Sequence, residues 1–246
     1  MAKKVTANTN ATSFPNLVEK AFMAMVQTYK SFFFNGLCPA IPNSDGKISF
    51  TERNLTFNFC NSYLQNAGVR NGDKIFVWQE LDITQAPDKR GHIDSVILDL
   101  REDVNSIVFI EAKRIANGGD KVDGKKVRKM EALKNDMERL RHLDLPGLST
   151  LTPKWNIPKD LKGTIITYHP DIYIMALVDY WEWNGRKDTV AAAESAEFSN
   201  CTNRPFDHVG SINSIKGDYY LDYCLENLKS QLGKCCCSPQ PKIQQE

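Results

Sequence analysis

Two acids and a lysine stand out in the segment HIDSVILDLREDVNSIVFIEAKR, residues 92–114. Asp94 lies near the start of one apolar run, and Glu111 and Lys113 lie near the end of the next. With the turn centred between Glu102 and Asp103, antiparallel pairing sets Leu98 opposite Ile107, Val96 opposite Phe109 and Asp94 opposite Glu111. Directly opposite residues share a face, with Cβ atoms about 4.5–5.5 Å apart. A slip of one residue would turn the apolar sets to opposite faces. A slip of two keeps the faces and pairs Asp94 with Lys113 instead. By the two-residue period Ile107, Phe109, Glu111 and Lys113 share one face, and Ala112 points the other way.

Two carboxylates directly opposite destabilise a sheet. A cation between them reverses the sign of that term. Hard divalent ions such as Mg²⁺ take oxygen ligands and often need only one or two carboxylates beside phosphate oxygens and water. Lys113, two residues along, is placed to hold a water or a phosphate oxygen. The competing reading is a surface ion pair at a strand end, worth little. Against it stands the run IVFIEAK, apolar on both faces as in a central strand, with a second acid on the paired strand.

The elements that position these residues follow from periodicity. Leu17, Ala21, Met25 and Tyr29 fall on one stripe, which predicts a helix over 15–34. A second helix is expected over 51–67, ended by Gly68. Three strands follow, over 74–83, 92–100 and 106–115. The loop ANGGDKVDG then precedes a long basic helix over 125–142. After Pro146, Pro153 and Pro158, GTIITY and DIYIMALVDYW read as a strand pair or a strand and turn, and 218–232 reads as a closing helix. The expected class is α/β: a central mixed sheet flanked by helices, with an N-terminal helical addition. Residues 1–12 are expected to be loose. Residues 13–232 are read as one domain with its core over about 49–183, and 233–246 as a disordered Cys/Pro/Gln tail.

The acid, the turn and the Glu111-Ala112-Lys113 triplet, with sixteen residues between Asp94 and Glu111, resemble the PD-(D/E)xK nuclease superfamily. The order helix, three-strand meander, helix, strand is similar to its restriction-endonuclease-like core. Ile93 stands where the family name places a proline, and the helix after Lys113 lacks the Gln-x-x-x-Tyr pattern of one exonuclease branch. The resemblance implies Mg²⁺- or Mn²⁺-dependent phosphodiester hydrolysis by a DNA endonuclease of restriction, defence or mobile-element type. Asp94, Glu111 and the Ala112 carbonyl would be metal ligands, and Lys113 would be catalytic. A further catalytic and metal-binding Glu from the preceding helix would be Glu52, on the stripe of Leu55, Thr56 and Phe59. Glu52 also fits a capping box with Ser49, and Glu80 is its rival as a ligand. The alternative is a non-catalytic nucleic-acid-binding or interaction module on the same fold.

A basic stretch holds Lys121, Lys125, Lys126, Arg128, Lys129, Lys134, Arg139 and Arg141. It reads either as a solvated helix face or as a phosphate-contacting face. The nucleic-acid contacts expected are Arg114, Lys125, Lys126 and Lys129. Trp155, Trp181 and Trp183 read as packing residues or as base-stacking platforms.

Composition constrains the partners. The 246 residues are 41% hydrophobic and 25% charged, with a net charge of +1. No global charge points to nucleic acid or membrane, so double-stranded DNA as partner rests on the local features. No apolar run approaches a membrane span. Paired cuts on two strands would call for a homodimer, although no residue demonstrates one. The seven cysteines include the run Cys235, Cys236 and Cys237 and form no CxxC pair. That usage fits reduced thiols and a cytoplasmic location.

Overall fold

The computed structural model describes residues 13–35, 52–85, 89–115, 119–122, 125–148, 153–182, 206–212 and 217–231. The expected loose start, Ser49, Trp183 and the Cys-rich tail lie outside them.

Helix α1 (Phe14–Phe34) opens with Pro15 in its first turn, where a missing N–H costs nothing. Its stripe of Leu17, Ala21, Met25 and Tyr29 is buried. Helix α2 (Glu52–Ala67) buries Leu55, Phe59, Cys60 and Tyr63. Gly68 follows it at φ +61°, the left-handed position that ends helices. Three strands come next: β1 (Ile75–Gln85), β2 (Lys89–Asp99) and β3 (Ser106–Ile115). A small hairpin of β4 (Gly119–Val122) and β5 (Lys125–Arg128) leads into α3 (Lys129–Arg141). Helix α4 (Lys159–Tyr168), β6 (Asp171–Glu182), β7 (Asp207–Ile212), β8 (Gly217–Asn227) and a short α5 (Leu228–Gln231) complete the order.

The main sheet has six strands in the order β1-β2-β3-β6-β8-β7. Only β3 and β6 run parallel; the other neighbours are antiparallel. A parallel pair needs a crossover, and α3 and α4 lie between β3 and β6 in the chain. Helices α1 and α2 pack on one face with Val108, Ile110 and Ala112. Helices α3 and α4 pack on the other with Ile107, Phe109 and Ile115. Covered on both sides, β3 and β6 are buried along almost their whole length, as continuous apolar runs require. The end of α2 is tied to the sheet by Tyr63, whose hydroxyl donates to the buried Asp99 at 2.8 Å. Arg101 closes the same cluster, 2.6 Å from Asp99. The architecture is thus α/β, a mixed sheet flanked by helices.

Three expected elements are corrected. GTIITY is not a strand but the body of α4. Its β-branched residues suggest a strand, but Leu161 and Ile165, four apart, bury one helical face and tertiary packing overrides propensity. The basic helix begins only at Lys129; residues 125–128 form β5, paired with β4. The Asp-Gly dipeptide between the two strands is a hairpin signal that outweighs the helical pattern. Residues 217–227 form β8 rather than a closing helix. Tyr219 and Leu221 face α1 while Tyr220 and Cys224 face the other core, and such a doubly apolar run reads equally as helix or buried strand.

Candidate active site at the fork between two strands

The hairpin register is the expected one: Leu98 pairs with Ile107 and Val96 with Phe109. The ladder stops at Ser95 and Ile110, one step short of Asp94 and Glu111. The cause lies in the hairpin of β1 and β2. Up to Gln79 and Ser95, odd residues face α2: Ser95 contacts Cys60, and Gln79 contacts Thr56. Beyond that point Leu81, Ile83 and Ile93 belong to the core under α3. Both strands therefore exchange faces between Gln79↔Ser95 and Leu81↔Ile93. Glu80, at that step, has φ +56°, a strained value for a side-chain-bearing residue. Asp94 stands across from it on β2.

At this kink Asp94 turns to β3. The Ala112 N–H donates to Asp94 Oδ2 at 2.7 Å, in place of a backbone acceptor on β2. In extended backbone the N–H and C=O of one residue point to the same side, so the Ala112 carbonyl also opens toward Asp94. His92 Nε2 lies 3.9 Å from Asp94 Oδ1.

Glu111 and Lys113 project from β3 toward α3. Glu111 is 2% exposed. Burial, and then the neighbouring Asp94 charge, push its pKa up to about 8 in spite of Arg139. Arg139 Nη2 lies 2.6 Å from Glu111 Oε1 and 3.3 Å from the His92 carbonyl. Arg139 Nη1 lies 3.3 Å from Asp136 Oδ1, one helical turn back. Burial works against the Arg139 cation, but Glu111 and Asp136 outweigh it and hold its pKa above the ordinary value. Lys113 Nζ lies 3.0 Å from Asp136 Oδ2. Acid and base alternate from Glu111 through Arg139 and Asp136 to Lys113, and Asp94 is a second acid beside Glu111 at the head of the chain.

Of the residues singled out from sequence, Asp94, Glu111, Ala112 and Lys113 are brought together. Glu80 sits at the kink, but its carboxylate, 43% exposed, pairs with Arg53 of α2 at 2.6 Å. Glu52 is the first residue of α2, which covers the face of β3 opposite to Glu111; its side chain is not among those described. Arg114 does not join the site. It points to the α1 side and binds Asp179 at 2.6 Å with its side chain 14% exposed, so it is a buried ion-pair partner rather than a surface phosphate contact. Lys125 and Lys126 lie on β5 and Lys129 starts α3; their side chains lie outside the description. Trp155 is 8% exposed and packs in the α3-side core, so it offers no open stacking face. The Trp181 side chain is not described.

Two site residues carry no individual signal in the sequence, Asp136 and Arg139. They stand three apart on α3, beside the buried Leu133, Met137 and Leu140. Charges flanking an apolar helical stripe, on the helix that crosses over β3, are the pattern that marks them.

Elsewhere, Ser211, His208 and Asp218 cluster on β7 and β8. The Ser211 hydroxyl donates directly to Asp218, and both residues approach the same His208 nitrogen, at 3.4 and 3.2 Å. A relay needs the acid and the hydroxyl on opposite ring nitrogens, so this grouping is not a nucleophilic triad.

Among the described residues, no three His, Cys, Asp or Glu side chains are gathered so as to hold a metal ion. None of the described helices is long and apolar enough to cross a membrane. No family model matches the chain, and neither a curated protein nor a solved structure matches it.

Proposed function

We propose that the chain is a metal-dependent nuclease that hydrolyses phosphodiester bonds in DNA, on a restriction-endonuclease-like core formed by α2, β1, β2, β3, α3 and β6. The observation that carries this reading is the fork itself. Asp94 binds the Ala112 N–H at 2.7 Å, next to a Glu111 whose carboxyl is buried and whose charged form is disfavoured partly by Asp94. The donor set suits a hard divalent cation: two carboxylates and the Ala112 carbonyl, all oxygen. Two protein carboxylates suffice for Mg²⁺, which keeps waters and takes phosphate oxygens. A cation there would also relieve the repulsion that raises the Glu111 pKa. A bound Mg²⁺ or Mn²⁺ would supply an acidified water and neutralise charge on the phosphoryl oxygens.

The protein's own groups supply the rest. The Ala112 N–H fixes one Asp94 oxygen, and the other, Oδ1, lies 3.9 Å from His92 Nε2. Lys113, steadied by Asp136, is a positive group two residues from Glu111. It orients an attacking water and offsets negative charge that develops on the phosphate. His92, beside Asp94 and largely exposed, lies where a proton can pass to solvent. Purified protein incubated with supercoiled plasmid and Mg²⁺ or Mn²⁺ tests the reading. Nicking or linearisation is expected, suppressed by chelator and by Lys113→Met. Cleavage at full rate in Lys113→Met would assign the activity to another site.

One observation favours the second reading, a non-catalytic module on the same fold. Glu111 and Lys113 are both already paired, with Arg139 and Asp136, so the charges close without any ligand. That reading predicts salt-sensitive DNA retention with no metal-dependent cutting.

A further inference from the structure

The site holds a second cation that the Asp94, Glu111 and Lys113 pattern does not require. Arg139 reaches across from α3 and places Nη2 2.6 Å from Glu111 Oε1. We propose that Arg139 is a displaceable internal counter-ion, which occupies the Glu111 carboxyl in the absence of a divalent cation and swings aside when one binds. This rests on reading the site as a metal centre.

Three features support displacement. Arg139 takes a Glu111 oxygen that a hard cation would use, and its charge repels such a cation at close range. Its hold is also incomplete. The Nη atoms are engaged by Glu111, Asp136 and the His92 carbonyl, while Nε is buried with no hydrogen-bond partner among the described residues. A buried donor left unpaired is costly, so this rotamer is not one that satisfies the whole guanidinium. Finally, a way out exists. The side chain is 23% exposed, so it reaches the rim of the site, and its guanidinium lies 5.9 Å from the centre of the Trp155 ring, a contact that favours the cation beside Glu111. Asp136 retains it from the same helix.

Displacement also reaches Lys113. Asp136 holds Arg139 through Oδ1 and Lys113 through Oδ2. An Arg139 that leaves Glu111 and leans on Asp136 competes with Lys113 for that carboxylate and frees the lysine toward the site. Cation entry and the release of Lys113 thereby become one event.

Calorimetric titration of the chelator-stripped full chain with Mn²⁺ tests the proposal. Removing one like charge at this range should tighten Mn²⁺ binding by Arg139→Met about tenfold. Arg139→Lys, which keeps the charge, should stay nearer the unmodified protein. Equal or weaker binding by Arg139→Met, while the unmodified protein binds and Asp94→Asn does not, overturns the counter-ion role and leaves the metal centre standing. Absence of Mn²⁺ binding in every protein overturns both. Should Arg139→Met fail to fold, the unmodified chain provides the second measurement. Mg²⁺ should change tryptophan fluorescence saturably, and Trp155→Phe should lose that change. Saturable Mg²⁺ binding with no Trp155-dependent signal contradicts displacement.

Discussion

The Ala112 amide donates to the Asp94 carboxylate across 2.7 Å at the step where β2 and β3 part. A side chain of β2 thus takes over the acceptor role that its backbone gives up. The same bond pins the acid beside Glu111, so that structural and chemical roles meet in one carboxylate.

Removing that acceptor should cost stability according to what replaces it. Asp94→Ala leaves the Ala112 N–H unpaired at a partly buried position, a loss of about 1–2 kcal/mol. Asp94→Asn keeps an oxygen for the bond and should lose far less. Urea midpoints of the two variants make the comparison. Equal midpoints would mean that the bond contributes nothing to the fold.

Glu111 should make stability depend on pH in a definite direction. Its carboxyl is raised from 4.5 to about 8 in the folded chain. Between those values the folded state keeps a proton that the unfolded state has released. Stability therefore falls as pH rises from about 4.5 to 8, because the native state binds more protons. Denaturant unfolding in chelator at pH 5, 6, 7 and 8 should show that decline, and Glu111→Gln should flatten it. Parallel curves for the two proteins would contradict the assignment.

The sequence exposed some of this arrangement and concealed the rest for identifiable reasons. The apolar pairs Leu98–Ile107 and Val96–Phe109 set the register, because a one-residue slip would bury the wrong face. Ser106–Ile115 read cleanly as a strand, since a doubly covered strand is apolar throughout. The kink at Glu80 and Asp94 left no trace, because no glycine or proline marks it; a positive φ at a glutamate is a product of packing. Arg139 was visible only as one of many basic residues, since its role depends on how α3 lies across β3. The Arg114–Asp179 pair was hidden likewise, the two residues being adjacent in space through the parallel pairing of β3 with β6.

Arg114 should behave as a packing residue rather than a DNA contact. Arg114→Met leaves Asp179, 1% exposed, without its cation, although the Tyr219 hydroxyl still donates to it at 2.9 Å. Breaking a buried pair from one side costs about 3–5 kcal/mol, which thermal unfolding will register. DNA retention by the folded fraction should be unchanged at fixed salt. A weakened DNA complex with normal stability would reverse this assignment.

The junction of α1 with the sheet offers an independent check of the architecture. Gly210, at the irregular step of β7, lies so close to α1 that a Cβ there would come within 2.8 Å of Phe33 ring atoms. Gly210→Ala should destabilise the chain by about 1–3 kcal/mol through overpacking. Combining it with Phe33→Ala should recover part of that loss in a double-mutant cycle. Additive losses would show that the two residues do not touch.

The most direct test of the account is a crystal of the protein soaked in Mn²⁺ and measured for anomalous scattering. The account predicts a peak at the fork, about 2.0–2.4 Å from carboxylate oxygens of both Asp94 and Glu111, with Arg139 withdrawn from Glu111. A soaked crystal with no peak between these two acids, and with Arg139 still on Glu111, would contradict it.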